Sequence, residues 1–352
     1  MRIAVLGAGG FLGSHLVAAL LRRPGGEIDA VDVGFQKLET RDPRVRRICM
    51  RVGQQDGIDR IVDQSDVIFS LTALCNPALY NTSPLEVIDG SYTDLVPLVR
   101  SCTKHRKRLI HFSTCEVYGR TAIDRQGRPT TEMNEEDTGF FLGPLDRERW
   151  TYACAKQLLE RVIWAHGQHE GLDFTIVRPF NVIGPRMDFL PGIDGEGVPR
   201  VLAAFMNALL RGEDLLLVDG GEQRRSFASA EDFVDAIVRV LDRPEASSRQ
   251  VFNVGNPANN LSMRELAEGL ASAFADRVPG ARRATIRSVP AAEVYGPGYD
   301  DCFDRIPDIS KARLLLGWEP RTTFGQMLPP IVDDYVVRYG DAVRARDRNP
   351  AA

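Results

Sequence analysis

A chain of 352 residues is long enough for one large domain or two smaller ones sharing an interface. Hydrophobic residues at 43% and charged residues at 26% describe an ordinary globular protein and exclude a disordered one, and a formal net charge of −4 argues against a nucleic-acid partner. No apolar run approaches the roughly 20 residues a membrane helix needs, and the apolar start at Met1 is broken by glycines without a cleavage signal, so a cytoplasmic protein with no membrane partner is expected. Cys49, Cys75, Cys102, Cys115, Cys154 and Cys302 form no C-x-x-C pair, which signals neither a metal site nor a disulfide framework.

From Met1 to about Asn181, short runs rich in Val, Ile and Leu alternate with longer helical patterns. The spacing predicts strands at Arg2–Gly7, Ile28–Val33, Val67–Thr72, Arg108–Ser113 and Phe174–Pro179, with helices at Phe11–Arg23, Pro84–Lys104 and Trp150–Glu170. That order is the pattern of an α/β fold with a doubly wound parallel sheet of the Rossmann kind, which binds ligands at its carboxyl edge. After Asn181 a Pro/Gly-rich stretch, Gly184–Pro199, leads to a helix at Val201–Leu210 and a strand at Leu215–Val218. Helix Ala230–Leu241 and strand Gln250–Val254 are expected to return to the first domain, before a helix at Ser262–Phe274. Two interleaved domains follow: 1–182 with about 230–258, and a smaller substrate lobe of 183–229 with about 259–340. The polar tail, 341–352, is expected to be frayed.

The segment VLGAGGFLGSHL sets Gly7, Gly10 and Gly13 between the first strand and the first helix, where missing side chains let the backbone approach a pyrophosphate at the helix N-terminus. Asp32 follows Gly13 by 19 residues, close to the offset of a ribose-binding acid, and a carboxylate there repels a 2′-phosphate, favouring NAD over NADP. Tyr152 and Lys156 are four apart on a predicted helix and project from one face. An ammonium beside a phenol of ordinary pKa about 10 favours the phenolate. Together these residues resemble the short-chain dehydrogenase/reductase superfamily.

The spacing G-x-x-G-x-x-G and the C-terminal lobe resemble its extended members, which act on nucleotide sugars. The segments RKRLIHFSTCEVYG, RWTYACAKQLLERVIWAHG, RPFNVIGPRMD, LVDGGEQRRSF and VYGPGYDDCFDRIPDI are similar to the UDP-glucuronic acid decarboxylases, nearest to the decarboxylase domain of the bifunctional polymyxin-resistance enzyme, over Met1 to about residue 335. The resemblance implies that Tyr152 takes the proton of the sugar 4-hydroxyl while NAD accepts hydride, after which the C6 carboxylate, now β to a ketone, leaves as carbon dioxide. It gives Thr114 and Tyr152 to the C4 oxygen, Glu116 to acid/base work, and Arg305 to electrostatic support and proton donation. UDP-4-keto-pentose, UDP-xylose or both are the implied products, and a homodimer is implied, with Pro84–Lys104 and Trp150–Glu170 forming a four-helix bundle across a two-fold axis.

The same resemblance assigns Phe11, Leu12, Leu71 and Ala73 to the cofactor site. It assigns Cys75, Tyr80, Arg149, Asn181, Arg186, Arg225 and Tyr299 to the UDP-sugar. Two departures stand out: Cys115 replaces the usual serine, a weaker donor, and Arg51 aligns with the family's acidic adenine contact. Two alternatives stay open, a nucleotide-sugar epimerase or 4,6-dehydratase on the same fold and a catalytically silent NAD-binding scaffold. Glu116 without a preceding Asp disfavours the dehydratase.

Overall fold

Strands that are apolar on both sides need helices on both faces of their sheet, and the chain supplies them. The computed structural model describes residues 1–295 and 301–348, which leaves Tyr299 outside the described residues. Seven strands, β1 (Arg2–Leu6), β2 (Glu27–Asp32), β3 (Val45–Cys49), β4 (Val67–Ser70), β5 (Arg108–Phe112), β6 (Phe174–Pro179) and β7 (Gln250–Val254), form one sheet in the order β7-β6-β5-β4-β1-β2-β3. Every pairing is parallel. The winding reverses between β1 and β4, so the loops leaving their carboxyl ends part and open a crevice.

One face of the sheet is covered by α1 (Phe11–Leu21) and α7 (Ala230–Asp242). The other is covered by α2 (Gln55–Gln64), α4 (Val96–Lys104) and α5 (Thr151–Glu170), whose Ile61, Val99 and Leu159 pack on Leu6, Ile68 and Leu109. Between α2 and α4 lies α3 (Pro84–Ser91), which packs on α5. The core under α1 and α7 runs without a break into α6 (Val201–Arg211), α8 (Met263–Arg277) and α9 (Phe324–Arg348) through Phe205, Leu270 and Tyr335. This continuity fixes the walls of the crevice relative to the sheet.

Three sequence expectations need correction. The single helix expected at Pro84–Lys104 is two, because the backbone at Tyr92 (φ −137°, ψ −65°) leaves the helical region and Pro97 restarts the helix where its missing N–H costs nothing. Strand β3 and helix α2 are absent from the predicted elements: β3 is an edge strand with Arg46 and Arg47 exposed in succession, and α2 buries only Ile58, Ile61 and Val62. Of the tail expected to fray, 341–348 are helical, and 349–352 lie outside the described residues. Helix α9 continues to Arg348 because Tyr335, Tyr339 and Val343 recur every four residues on a buried face, a pattern masked in the sequence by Pro329 and Pro330 near its start.

Candidate active site

The carboxyl edge of the sheet opens into a cleft of about 1170 Å³ lined by Gly7, Gly10, Phe11, Leu12, Gly13, Asp32, Leu71 and Ala73 at one end and by Thr114, Cys115, Glu116, Tyr152 and Lys156 at the other. At the first end β1 turns sharply at Gly7, whose φ of +89° suits a residue without a Cβ. A Cβ on Gly13 would lie 2.0 Å from the Gly7 carbonyl oxygen, so only glycine lets α1 begin this close to the loop. Gly9, which the spacing argument passes over, donates its N–H to Asp32 Oδ2 (2.9 Å), and Val33 N–H donates to Oδ1 (2.7 Å). The loop thus holds the Asp32 carboxylate at the wall of the cleft. Further along the cleft Arg51 pairs with Asp94 at 3.0 Å, so an acid lines the cleft beside Arg51 although not at position 51 itself. The glycine cradle, the free N–H groups opening α1 and the buried hydroxyls of Thr72 and Ser113, which have no hydrogen-bond partner among the described residues, fit a dinucleotide.

At the second end α5 carries Tyr152 and Lys156 one turn apart, both buried. Lys156 Nζ donates to the Phe112 carbonyl of β5 (2.9 Å), and burial lowers its pKa to about 8. Burial raises the Tyr152 hydroxyl well above its ordinary value, with Thr114 as hydrogen-bond partner pulling it down. The Tyr80 ring stacks on Tyr152, centroids 5.1 Å apart and planes 11° from parallel, and closes the back of the phenol against water.

Glu116 sits in a one-turn helix whose start is capped by Thr114: the Glu116 N–H donates to Thr114 Oγ1 (3.1 Å). Its carboxylate pairs with the Arg305 guanidinium on one side and lies 2.7 Å from Arg149 on the other. Burial pushes the acid up, but the two arginines outweigh it and hold Glu116 well below the usual carboxylate range. Arg305 is fully buried behind Glu116, reaches Cys115 Sγ (3.8 Å) and is not among the residues that line the cleft. Burial raises the Cys115 thiol to about 11, which makes it a neutral group. Asp301, which the sequence reading did not select, joins Arg149 (3.4 Å) to Arg225 (2.6 Å), and all three line the cleft. The run Asp300-Asp301-Cys302 offered an acidic signal but nothing to say that Asp301 lines the cleft.

Arg149 keeps its Nε without a hydrogen-bond partner among the described residues, as does the side-chain amide nitrogen of Asn181, and both residues line the cleft with Cys75 and Tyr80. Arg186 does not. Its backbone N–H is held by Asp334 (2.6 Å) and its side chain reaches the Lys37 carbonyl (3.5 Å), because the chain at φ +64° turns it away from the sugar end. Arg200, unselected in the sequence, lines the cleft instead and pairs with Asp188 (3.1 Å).

Residues 3–255 match the family described as NAD dependent epimerase/dehydratase family. The chain is 41% identical over its full length to UDP-D-apiose/UDP-D-xylose synthase 1 of Arabidopsis thaliana, covering 95% of that protein. It is also 41% identical, over 98% of its length and 91% of the relative's, to UDP-D-apiose/UDP-D-xylose synthase of Oryza sativa subsp. japonica. Among solved structures, the PbgP3 protein from Burkholderia pseudomallei superposes with a TM-score of 0.84 at 32% identity, covering 97% of this chain and 98% of the other.

Proposed function

We propose, since this chain belongs to the NAD dependent epimerase/dehydratase family, that it binds UDP-glucuronic acid, oxidises the sugar at C4 and releases the C6 carboxylate as carbon dioxide, leaving a UDP-bound pentose. The observation that carries this reading is Glu116, ionised between two arginines at the cleft end where Tyr152 and Lys156 meet. NAD, when bound, supplies the hydride acceptor and a positive charge beside the phenol. Tyr152 receives the proton of the 4-hydroxyl; burial alone keeps it protonated, so its work as a base depends on positive charge from Lys156 and the neighbouring ring.

Once C4 is a ketone, the electron pair of the C5–C6 bond can move towards the C4 oxygen as carbon dioxide departs, and the hydroxyls of Tyr152 and Thr114 donate to that oxygen. Arg149, whose Nε has no hydrogen-bond partner among the described residues, grips the uronate carboxylate, and Arg225 holds the diphosphate by its charge. Loss of carbon dioxide leaves C5 as the enolate carbon, which takes a proton from solvent water to become a CH2 group; Glu116, ionised, orients that water, and Arg305 positions Glu116 from behind. The names of the relatives pair UDP-apiose with UDP-xylose, and a reduced pentose of that kind is the expected product. The test is to supply NAD and UDP-glucuronate labelled at C6, trap carbon dioxide and identify the sugar by NMR. Recovery of a six-carbon epimer with all label retained overturns the proposal.

A homodimer is part of the same reading. Leu85 (74% exposed) on α3 and Leu158 and Trp164 (46% each) on α5 would be covered if these helices paired across a two-fold axis. Light scattering that finds only the monomer mass rules this out. Six free cysteines suit the reducing cytoplasm.

A further inference from the structure

Behind the active site runs a chain of buried polar side chains, none of which lines the cleft. On α5, one turn beyond Lys156, Glu160 accepts two hydrogen bonds from Arg178 of β6, from Nε at 3.0 Å and from a terminal nitrogen at 2.6 Å. The other terminal nitrogen of Arg178 donates to the Tyr118 hydroxyl (2.9 Å), and the guanidinium lies 4.9 Å from the centre of the Tyr118 ring. Tyr118 ends the short helical turn that contains Cys115 and Glu116. Its hydroxyl donates onward to Asn253 Oδ1 of β7 (2.9 Å). The amide nitrogen of Asn253 then donates to the carbonyls of Met133 (2.8 Å) and Asp308 (3.3 Å). Met133 ends the strand Glu132–Met133, Asp308 follows its partner strand Ile306–Pro307, and Arg305 is the residue immediately before that partner.

Buried ions and amides contribute little net stability, since desolvation offsets their attraction, but they tolerate few alternative geometries because every unpaired member is costly. The Tyr118 hydroxyl is where two such sets meet, one tied to the helix of Tyr152 and Lys156 and the other to the strand of Arg305. We propose that Tyr118 is a positioning residue for the decarboxylation, its hydroxyl holding the Tyr152 helix and the Arg305 strand in one geometry around Glu116. This rests on the role given to Glu116 under the proposed function.

Tyr118→Phe keeps the ring, its packing on Phe180 and the guanidinium above it, and removes only the joint. The variant should lower kcat for carbon dioxide release by roughly 10- to 100-fold, the scale of an ångström-level misplacement, with KM for UDP-glucuronate little changed. In a Glu116→Gln background the same substitution should add almost nothing. Asn253→Ser approaches the joint from the Arg305 side and should reproduce the kcat effect; it serves if Tyr118→Phe does not fold. A lowered Tm with kcat intact, or an equal fall in kcat with and without Glu116, overturns the positioning role. If Glu116→Gln alone leaves carbon dioxide release unchanged, it is the reading of Glu116 that fails, and Tyr118 is then judged by its own split between kcat and KM.

Discussion

The two ends of the cleft are built on different physical plans. The cofactor end is built mainly on the stretch from β1 through β2, with Leu71 and Ala73 added beyond β4, and works chiefly through backbone: the turn at Gly7, the close start of α1 at Gly13, and N–H groups that hold Asp32. The sugar end gathers Glu116, Arg149, Arg225, Asp301 and Arg305 from separate segments and holds them by charge. A backbone cradle is stable without its ligand because its polar groups face an open crevice. A buried charge cluster is stable only while each member keeps its partner.

Substitutions at the sugar end should therefore have the larger effects. Tyr152→Phe should slow consumption of UDP-glucuronate by about 10³-fold, within the range of general acid–base catalysis, while NAD affinity measured by calorimetry stays near wild type; unchanged turnover would make the mechanism wrong. Glu116→Gln leaves Arg305 buried without its counter-charge and should cost roughly 3 kcal/mol in urea unfolding. Equal stability of the variant and the parent would mean the cluster is wetter than its burial implies.

The cofactor end should give way more gently. Gly13→Ala places a Cβ against the Gly7 carbonyl and should cost about 1–3 kcal/mol by overpacking, seen as a weaker NAD titration together with a lower unfolding midpoint. Asp32→Ser should weaken NAD by about tenfold, or ~1.4 kcal/mol, and narrow its advantage over NADP; undiminished preference would move the ribose contact elsewhere. The smallest effect expected is with pH. Burial lowers Lys156 to about 8, so its charge is present below that pH and lost above it, and kcat should decline through pH 8, a limb that Lys156→Met should abolish. Glu116, held ionised by Arg149 and Arg305, should contribute no acid limb in the usual carboxylate range.

Legibility in the sequence follows the same division. Gly7, Gly10, Gly13 and Asp32, and likewise Tyr152 and Lys156, lie close enough along the chain for helical and βα geometry to imply their proximity. The helix through Pro329 and Pro330 did not follow from local propensity, because packing of Tyr335, Tyr339 and Val343 against the core decided it, whereas the restart at Pro97 was a local signal that the apolar pattern overrode. Arg186 and Arg200 show the limit most plainly: one stands in the Pro/Gly-rich stretch and the other just after it, yet only Arg200 lines the cleft.

By itself the sequence determined the parallel α/β order, the dinucleotide loop, the acid at the end of β2 and the Tyr–Lys pair, all features whose partners are near neighbours in the chain. Only the tertiary structure decided that Arg305 is buried against Glu116 and Cys115, that Asp301 bridges Arg149 and Arg225, and that Tyr118 joins two buried networks. Those depend on which of many charged side chains find a partner once desolvated, and that choice is made by long-range packing, which no local spacing encodes.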